Sequence, residues 1–248
     1  MARMPGAVWL GEHSPTPPRR MTRYDVVCIH TIVGWAPAHA AHFSVKLDGT
    51  ILQSRDTAFQ SAGNLDGNHR VIVIENEDGG RDIPLTPEQV RSNAQILAWA
   101  NKEHGIPLQL CPDSRGHSRG LAVHRQGIDG DFTLPDRTLG LPRSMWLGRV
   151  SGGEHWSTST GKICPRVNKI AQVPSVLAAA RGEQEDDDMN PEQMDKLADL
   201  VVEKLLNADV DKTERGTRLT VRGALRQSSH GPGLIRRLAR ALGKDIDK

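Results

Sequence analysis

The sequence predicts an α/β fold in which a central mixed β-sheet is flanked by helices and followed by a helical tail. Short apolar runs of strand type, such as residues 71–74, are interspersed with a long helical pattern over residues 86–104. The chain has 248 residues, which is enough to bury one sizeable core and leave additional segments. Composition changes at an acidic stretch over residues 183–188, and helical patterns follow it.

The first half of the predicted sheet contains an apolar run and a hairpin. Residues 24–30 form a short apolar run of strand type that ends at His30. Residues 42–47 alternate between apolar and polar side chains. The Asp48-Gly49 pair that follows predicts a tight turn into a second strand over residues 50–53.

A buried strand, a capped helix and a further short strand follow. Residues 71–74 are all β-branched, as expected for a strand that is covered on both faces. Thr86 and Gln89 have the spacing of a capping box, with a proline at the first helical position. We expect this helix to run to about residue 104 and to end at Gly105. Residues 120–124 predict another short strand.

The segments after this strand are a predicted loop and a predicted helix. Residues 125–160 are rich in glycine and lack a clear period, which predicts a long loop containing Trp146 and Trp156. The tryptophans could form a wall of a substrate groove or simply pack in the core. One helix is predicted over residues 166–181.

These elements divide the chain into four predicted parts. Residues 1–22 are rich in proline and arginine and are expected to be irregular, and residues 23–181 form the α/β domain. Residues 182–189 are an acidic linker, and residues 190–248 form a helical tail with an apolar stripe and a basic last segment. The tail could mediate self-association or attachment to a wall or membrane.

Composition excludes several classes of protein. The formal net charge is +2 and 25% of residues are charged, so no nucleic-acid partner is indicated. Three cysteines, Cys28, Cys111 and Cys164, do not suggest a disulfide framework. No run approaches the roughly 18 apolar residues of a membrane span. The first residues lack the apolar run of a signal peptide, so we expect synthesis in the cytoplasm.

Three side chains are candidate zinc ligands. His30 ends the first predicted strand, His124 ends a later one, and Cys164 follows the long loop. Two imidazoles and one thiolate would form a zinc site with an open fourth position, as catalytic zinc sites have. Taken singly, each histidine could instead be a strand-end residue without a metal, and Cys164 could be a small buried hydrophobe.

Two further side chains are candidates for acid–base and electrostatic roles. Glu75 directly follows the buried run over residues 71–74, where a carboxylate could act as a general base. Lys162 lies two residues before Cys164 and could place its ammonium beside a developing oxyanion. Taken singly, Glu75 is typical of a solvated strand end and Lys162 of a surface lysine.

Four segments together resemble a known superfamily. They are VVCIHT over residues 26–31, AHFSVKLDGTILQ over 41–53, NHRVIVIE over 68–75 and GKICP over 161–165. As a set, they resemble the zinc-dependent N-acetylmuramoyl-L-alanine amidases, the superfamily that includes peptidoglycan recognition proteins and phage endolysins. The resemblance covers about residues 23–180 and is closest to endolysins of phages that infect actinobacteria.

The resemblance implies a zinc hydrolase of bacterial peptidoglycan. Zn²⁺ would be held by His30, His124 and Cys164, while Glu75 and Lys162 would assist hydrolysis of the amide between N-acetylmuramic acid and L-alanine. The enzyme would act on the cell wall after release from the host cytoplasm. The substrate contacts that we predict are His42, Asn68 and Trp156.

Two alternatives remain open at this point. His155 lies nine residues before Cys164, close to where many members of the superfamily place the second ligand. We prefer His124 because residues 120–123 supply an apolar strand that leads into it, whereas residues 152–155, Gly-Gly-Glu-His, have the composition of a loop. The second alternative is a recognition module that binds peptidoglycan without cleaving it, although such relatives typically lack the cysteine ligand.

Overall fold

A computed structural model describes residues 2–12, 16–134 and 140–182 of the chain. These residues lie in one compact unit, Met1–Glu183. The predicted helical tail over residues 190–248 lies outside the described residues, as does the predicted linker apart from Gly182. Within the described part of the chain, no helix combines the length and the apolar character that crossing a membrane requires.

One six-stranded mixed sheet organises the described residues. Its strands are β1 (Val8–Trp9), β2 (Val26–Ile32), β3 (Phe43–Val45), β4 (Ile51–Gln53), β5 (Val71–Glu77) and β6 (Gly120–Val123). Their order across the sheet is β1-β4-β3-β5-β2-β6. Strand β2 pairs in parallel with β5 and β6, and β3 pairs antiparallel with β4 as a hairpin. The sheet confirms the predicted α/β fold.

Four helices accompany the sheet in the described ranges. They are α1 (Pro87–His104), α2 (Ser144–Leu147), α3 (Val167–Ile170) and α4 (Val173–Ala180). The boundaries of α1 confirm the predicted capping box, because the Thr86 hydroxyl accepts from Gln89 N and the Gln89 side chain accepts from Thr86 N, both at 3.1 Å. Gly105 ends the helix with a left-handed φ of 67°.

The two faces of the sheet carry different clusters of buried side chains. The larger cluster packs against α1 and α4 and includes Val27, Ile29, Ile72, Ile74, Leu97 and Val176. The smaller cluster lies on the opposite face and consists of Val26, Cys28, Ala41, Val71, Val73, Cys111, Ala122 and Trp156. Because side chains alternate along a strand, residues 30, 75 and 124 follow the smaller cluster onto this second face.

The N-terminal segment is more ordered than the sequence indicates. Residues 1–22 were predicted to be irregular, but Val8 and Trp9 pair in parallel with Leu52 and Gln53. Strand β4 would otherwise expose a row of unpaired backbone groups, and β1 covers them. The prediction was wrong at this point because a two-residue strand is too short to show alternation.

Two predictions in the C-terminal half of the domain were incomplete. The helix predicted over residues 166–181 is divided into α3 and α4. Pro174 lies in the first turn of α4, where a proline fits, but it cannot continue an unbroken helix through that point. The loop predicted over residues 125–160 contains a 3-10 turn at its start, His124–Gly127, and helix α2.

Removing the N-cap of α1 should destabilise the domain without affecting its site. The Thr86 hydroxyl accepts from Gln89 N and also donates to Leu47 O at 2.8 Å, so it joins the helix to the hairpin. We expect Thr86→Ala to lower the free energy of unfolding by about 0.5–2 kcal/mol. Thr86→Ser keeps the hydroxyl and should stay within a few tenths of the parent value. Urea unfolding of both variants measures this, and equal stabilities would contradict the capping role.

Candidate metal centre

Three predicted ligand residues meet at one end of the second sheet face. Strand β2 positions His30, the residue after β6 is His124, and the chain before α3 brings in Cys164. One potential ligand atom from each residue lies within 4.8 Å of the others. All three residues are buried, with exposures of 2%, 2% and 4%. Among the described residues, this is the group of histidine, cysteine or carboxylate side chains that could hold a metal ion.

The register of the sheet accounts for the meeting of His30 and His124. Val123, the last residue of β6, is paired with Ile29 of β2, so the next residue on each strand is a histidine. The two imidazole rings are stacked, with centroids 4.0 Å apart and planes 23° apart. Cys164 is held beside them by a hydrogen bond to β2: its sulfur accepts from the backbone N of Thr31, the residue after His30, at 3.5 Å. Residues distant in sequence thus converge because parallel strands end at the same edge of the sheet.

The hydrogen bonds of His124 leave one ring nitrogen available to a metal ion. Its Nε2 lies 2.8 Å from the carbonyl oxygen of Trp156, which can only accept a hydrogen bond, so Nε2 carries the proton. Nδ1 of His124 is therefore a lone-pair nitrogen, and it is buried without a hydrogen-bond partner. A buried acceptor without a partner is costly, and a metal ion would satisfy it.

Glu75 lies beside this group. It is paired with His30 in the sheet register, and its Oε1 lies 3.6 Å from His30 Nδ1. Its other carboxyl oxygen, Oε2, is buried without a hydrogen-bond partner. Burial raises the pKa of Glu75 to about 7, while the positive charge of Lys162 acts in the opposite direction. The carboxyl can therefore exchange a proton near neutral pH.

Burial also determines the charge states of the three ligand candidates. It lowers the pKa of His30 well below its ordinary value and that of His124 to about 4, so both imidazoles are neutral at pH 7. Burial, followed by the charge of Glu75, raises the pKa of Cys164 to about 12. Neutral imidazoles are the form that binds metals, and a cation at the site would favour the thiolate.

The residues present fit a zinc ion. Two imidazole nitrogens and one sulfur are ligands that Zn²⁺ prefers, and three protein ligands leave a coordination position for water or substrate. The Nδ1 atom of His124, which is buried without a hydrogen-bond partner, also fits a metal ion, because coordination would satisfy it. The types of ligand atom and their convergence therefore make this group of residues a candidate centre for metal-dependent hydrolysis.

Lys162 is exposed and lies near the centre. Its positive charge opposes the rise in the pKa of Glu75 and of Cys164, and it adds to the lowering of the pKa of His30 and His124. Because the charge of this ammonium acts on Glu75 and on all three ligand candidates, it could also stabilise negative charge on a bound substrate.

The structure places His155 away from the three ligand candidates. Its side chain is 51% exposed and lies between two carboxylates, with Nδ1 3.6 Å from Asp66 Oδ2 and Nε2 3.3 Å from Asp129 Oδ2. His155 thus joins two surface loops. The alternative in which it replaces His124 as a ligand has no support from this arrangement.

Two of the three predicted substrate contacts are buried inside the domain. His42 has no exposed surface, and its ring accepts from Val73 N at 3.0 Å and donates to the Phe59 carbonyl at 2.9 Å. Trp156 is 1% exposed, and Trp146 is fully buried as well. These side chains pack in the core, which is the alternative that the sequence left open for the two tryptophans, and a role in binding substrate stays a prediction for His42 and Trp156.

Asn68, the third predicted substrate contact, is partly exposed. Its Oδ1 accepts from the backbone N of Asn64 at 2.7 Å, and it lines a small surface pocket with Arg19, Gln60 and Ser61. A role in binding substrate therefore stays a prediction for this residue.

The sequence interpretation missed the residues that support the ligands. Trp156 supports His124 through its backbone carbonyl, which has no sequence signature. Gly127 allows the tryptophan ring to lie against the chain, because a Cβ there would be 2.2 Å from Trp156 Cγ. Buried Arg70 holds this segment through Glu154, with Nε 3.0 Å from both carboxylate oxygens. A polar residue within a glycine-containing loop, Asn64, was missed as well.

Residues 13–131 match the family model described as N-acetylmuramoyl-L-alanine amidase. The match includes His30, Glu75 and His124, and it spans just under half of the chain. It supports the superfamily indicated by the sequence and a hydrolase of the amidase kind. No curated protein matches the chain.

Several solved structures are similar to the chain. One is described as the endolysin N-acetylmuramoyl-L-alanine amidase LysCS of Clostridium intestinale URNW, with 15% identity and a TM-score of 0.47, covering 73% of this chain and 99% of that chain. LysC of the same organism has 14% identity and a TM-score of 0.47, with coverages of 72% and 99%. The Staphylococcus aureus hydrolase AmiA has 14% identity and a TM-score of 0.43, with coverages of 72% and 84%. These values are too low to indicate what this chain does.

Substitution of the two competing histidines should separate their roles. We expect His124→Ala to lose bound zinc, because it removes a buried ring nitrogen that has no hydrogen-bond partner and belongs to the group of three ligand candidates. His155→Ala should keep zinc, since the ring nitrogens of His155 lie beside the surface carboxylates of Asp66 and Asp129. Metal content per chain, measured on purified protein whose circular dichroism matches the parent, gives the answer. Loss of zinc in His155→Ala alone would reverse the assignment.

Proposed function

We propose that the protein is a zinc-dependent N-acetylmuramoyl-L-alanine amidase that cleaves bacterial peptidoglycan. The observation that carries the proposal is the convergence of His30, His124 and Cys164 beside Glu75, within a domain whose first part matches the amidase family. The bond cleaved would be the amide between the lactyl group of N-acetylmuramic acid and L-alanine.

The chemistry of the proposed reaction divides between the metal and the side chains. Zinc, when bound by His30, His124 and Cys164, supplies a Lewis acid that polarises a carbonyl and lowers the pKa of a water molecule to about 7. Glu75 accepts the proton of the attacking water, because its carboxyl lies at the site and exchanges protons near neutral pH. The same carboxyl then donates that proton to the leaving amine.

Lys162 would act on the developing charge. As the amide carbonyl becomes tetrahedral, negative charge accumulates on its oxygen. The exposed Lys162 ammonium already acts on the charges of Glu75 and Cys164, and it would act on this oxygen in the same way.

We further propose that the protein acts as an endolysin, released from a phage-infected host to degrade the wall. The support is the resemblance of the four sequence segments to such enzymes. Adding the full chain to suspended actinobacterial walls should reduce turbidity if this is correct.

A recognition module that binds peptidoglycan without cleaving it is the second candidate. The buried thiol of Cys164 and the carboxyl of Glu75 favour the enzyme, because binding alone would not require a proton acceptor beside a metal centre. Mass spectrometry of material released from purified cell wall distinguishes the two. The enzyme should release peptides that begin with L-alanine and leave intact glycan, whereas a recognition module should bind wall and release nothing.

Replacing Glu75 should separate catalysis from metal binding. Glu75→Gln retains the size of the side chain but cannot accept a proton, so turnover should fall by about 10²–10⁴-fold while zinc content stays unchanged. Glu88→Gln, at an exposed position on α1, is the matched control and should retain full activity. A Glu75→Gln enzyme with near-normal turnover would remove this residue from the mechanism.

Replacing Lys162 should reduce turnover through loss of oxyanion stabilisation. We expect Lys162→Ala to lower kcat by about 10²–10³-fold, with little change in zinc content. Lys102→Ala removes an exposed lysine from α1 and should leave kcat unaltered. Kinetics on a defined muropeptide provide the measurement, and an effect confined to KM would assign Lys162 to substrate binding instead.

A further inference from the structure

We propose that Asn64 is a positioning residue that holds His30 in the tautomer protonated on Nε2, so that Nδ1 is free to bind the metal. The inference rests on the proposed metal centre and assigns a role to a residue that lies outside the ligand set. It follows from the hydrogen bonds of the fully buried Asn64 side chain and from the different hydrogen-bond acceptors of His30 and His124.

The contact between the two side chains is short and enclosed. Asn64 has no exposed surface, and its Oδ1 lies 3.0 Å from His30 Nε2. The amide nitrogen of Asn64 lies 3.5 Å from Cys28 Sγ, which is a weak acceptor. With the carbonyl side of the amide directed at the ring, Nε2 of His30 must donate, and Nδ1 is left as a lone pair.

The opposite orientation of the amide would be incompatible with metal binding. If the NH₂ group of Asn64 faced His30, Nε2 would have to accept, and the ring proton would move to Nδ1. That proton would then lie towards Glu75 Oε1, which is 3.6 Å from Nδ1, and Nδ1 would have no lone pair for a metal ion. The orientation of one amide group therefore determines whether His30 offers a lone pair or a proton to the metal.

Asn64 is held in place by its own backbone. Its N–H donates to Asn68 Oδ1 at 2.7 Å, and its carbonyl accepts from Gly67 N at 2.7 Å. The chain before it lies directly on β5, since a Cβ at Gly63 would be 2.9 Å from Val73 Cγ1. These contacts fix the position from which the side chain reaches the ring.

The two histidines differ in what supports them. His124 donates to a backbone carbonyl, that of Trp156, which cannot rotate or be replaced by substitution. His30 depends on a side-chain amide, whose two ends have opposite hydrogen-bonding character. His30 is thus the ligand whose tautomer is encoded by a single replaceable residue.

Zinc affinity and ring tautomer of the full chain test the proposal together. Asn64→Leu removes the acceptor while keeping the same branched arrangement of side-chain heavy atoms, and it should weaken zinc binding by about 10–100-fold, as loss of a partner to a ligating histidine does. Asn64→Asp keeps an acceptor and should bind zinc at least as tightly as the parent. Asn101→Leu removes an amide from α1 and should leave the affinity unchanged. Competition with a chelator of known affinity provides the values.

Nitrogen-15 NMR of the histidine rings in the metal-free protein provides a readout that does not depend on activity. We expect His30 of the parent chain to be protonated on Nε2, and the Asn64→Leu variant to show the Nδ1 proton in part of the population. Because this measurement and zinc affinity need no substrate, they can succeed even if the protein proves not to be an amidase.

Four outcomes would overturn the proposal. The first is a parent His30 protonated on Nδ1, which decides the question even if the leucine variant does not fold. The second is a folded Asn64→Leu variant with the parent's zinc affinity. The third is an equal loss in Asn64→Asp, and the fourth is an equal loss in Asn101→Leu, since neither would be specific to the acceptor beside His30.

Discussion

The parallel register of β2 with its two neighbours is the constraint on which the rest of the site depends. Strand β2 pairs with β5 so that His30 lies beside Glu75, and with β6 so that His124 follows directly after the last paired residue. A shift of one residue in either pairing would turn a side chain to the opposite face, where α1 and α4 pack. The burial of apolar side chains on both faces of the sheet therefore fixes the register, and with it the relative positions of His30, Glu75 and His124.

Burial then determines the chemistry of these polar groups. Removed from water, the imidazoles stay neutral, the Cys164 thiol keeps its proton, and the Glu75 carboxyl has a pKa of about 7. Two polar atoms, His124 Nδ1 and Glu75 Oε2, are buried without partners. Each such atom costs about 1–3 kcal/mol in a folded protein. A site that tolerates this cost in the described domain is suited to a cation and a polar substrate.

The segments that cover the second face orient the rings of the candidate ligands. One of them carries Trp156, whose carbonyl supports His124 and whose indole nitrogen donates to Glu154. Glu154 in turn is held by Arg70, which is fully buried at the start of β5. Substitutions in this chain of contacts should alter the metal centre through ring orientation, although none of these side chains is a ligand candidate.

Much of the fold could be predicted from the sequence because its signals are local. The β-branched run before Glu75, the hairpin turn and the capping box of α1 each depend on a few neighbouring residues, and all three are confirmed. Where a signal was too short, as for β1, or where a proline divided a helix, as for α3 and α4, the prediction failed.

For the site, the sequence by itself determined the types of the candidate residues and the strands that carry two of them. Only the tertiary structure decided which histidine joins the group, because His155 and His124 differ in their surroundings and not in their chemistry. It also assigned His42 and Trp156 to the core and revealed Asn64, whose role depends on a contact across 34 positions of the chain. Burial and ring orientation are products of packing between distant segments, and no local pattern of residues encodes them.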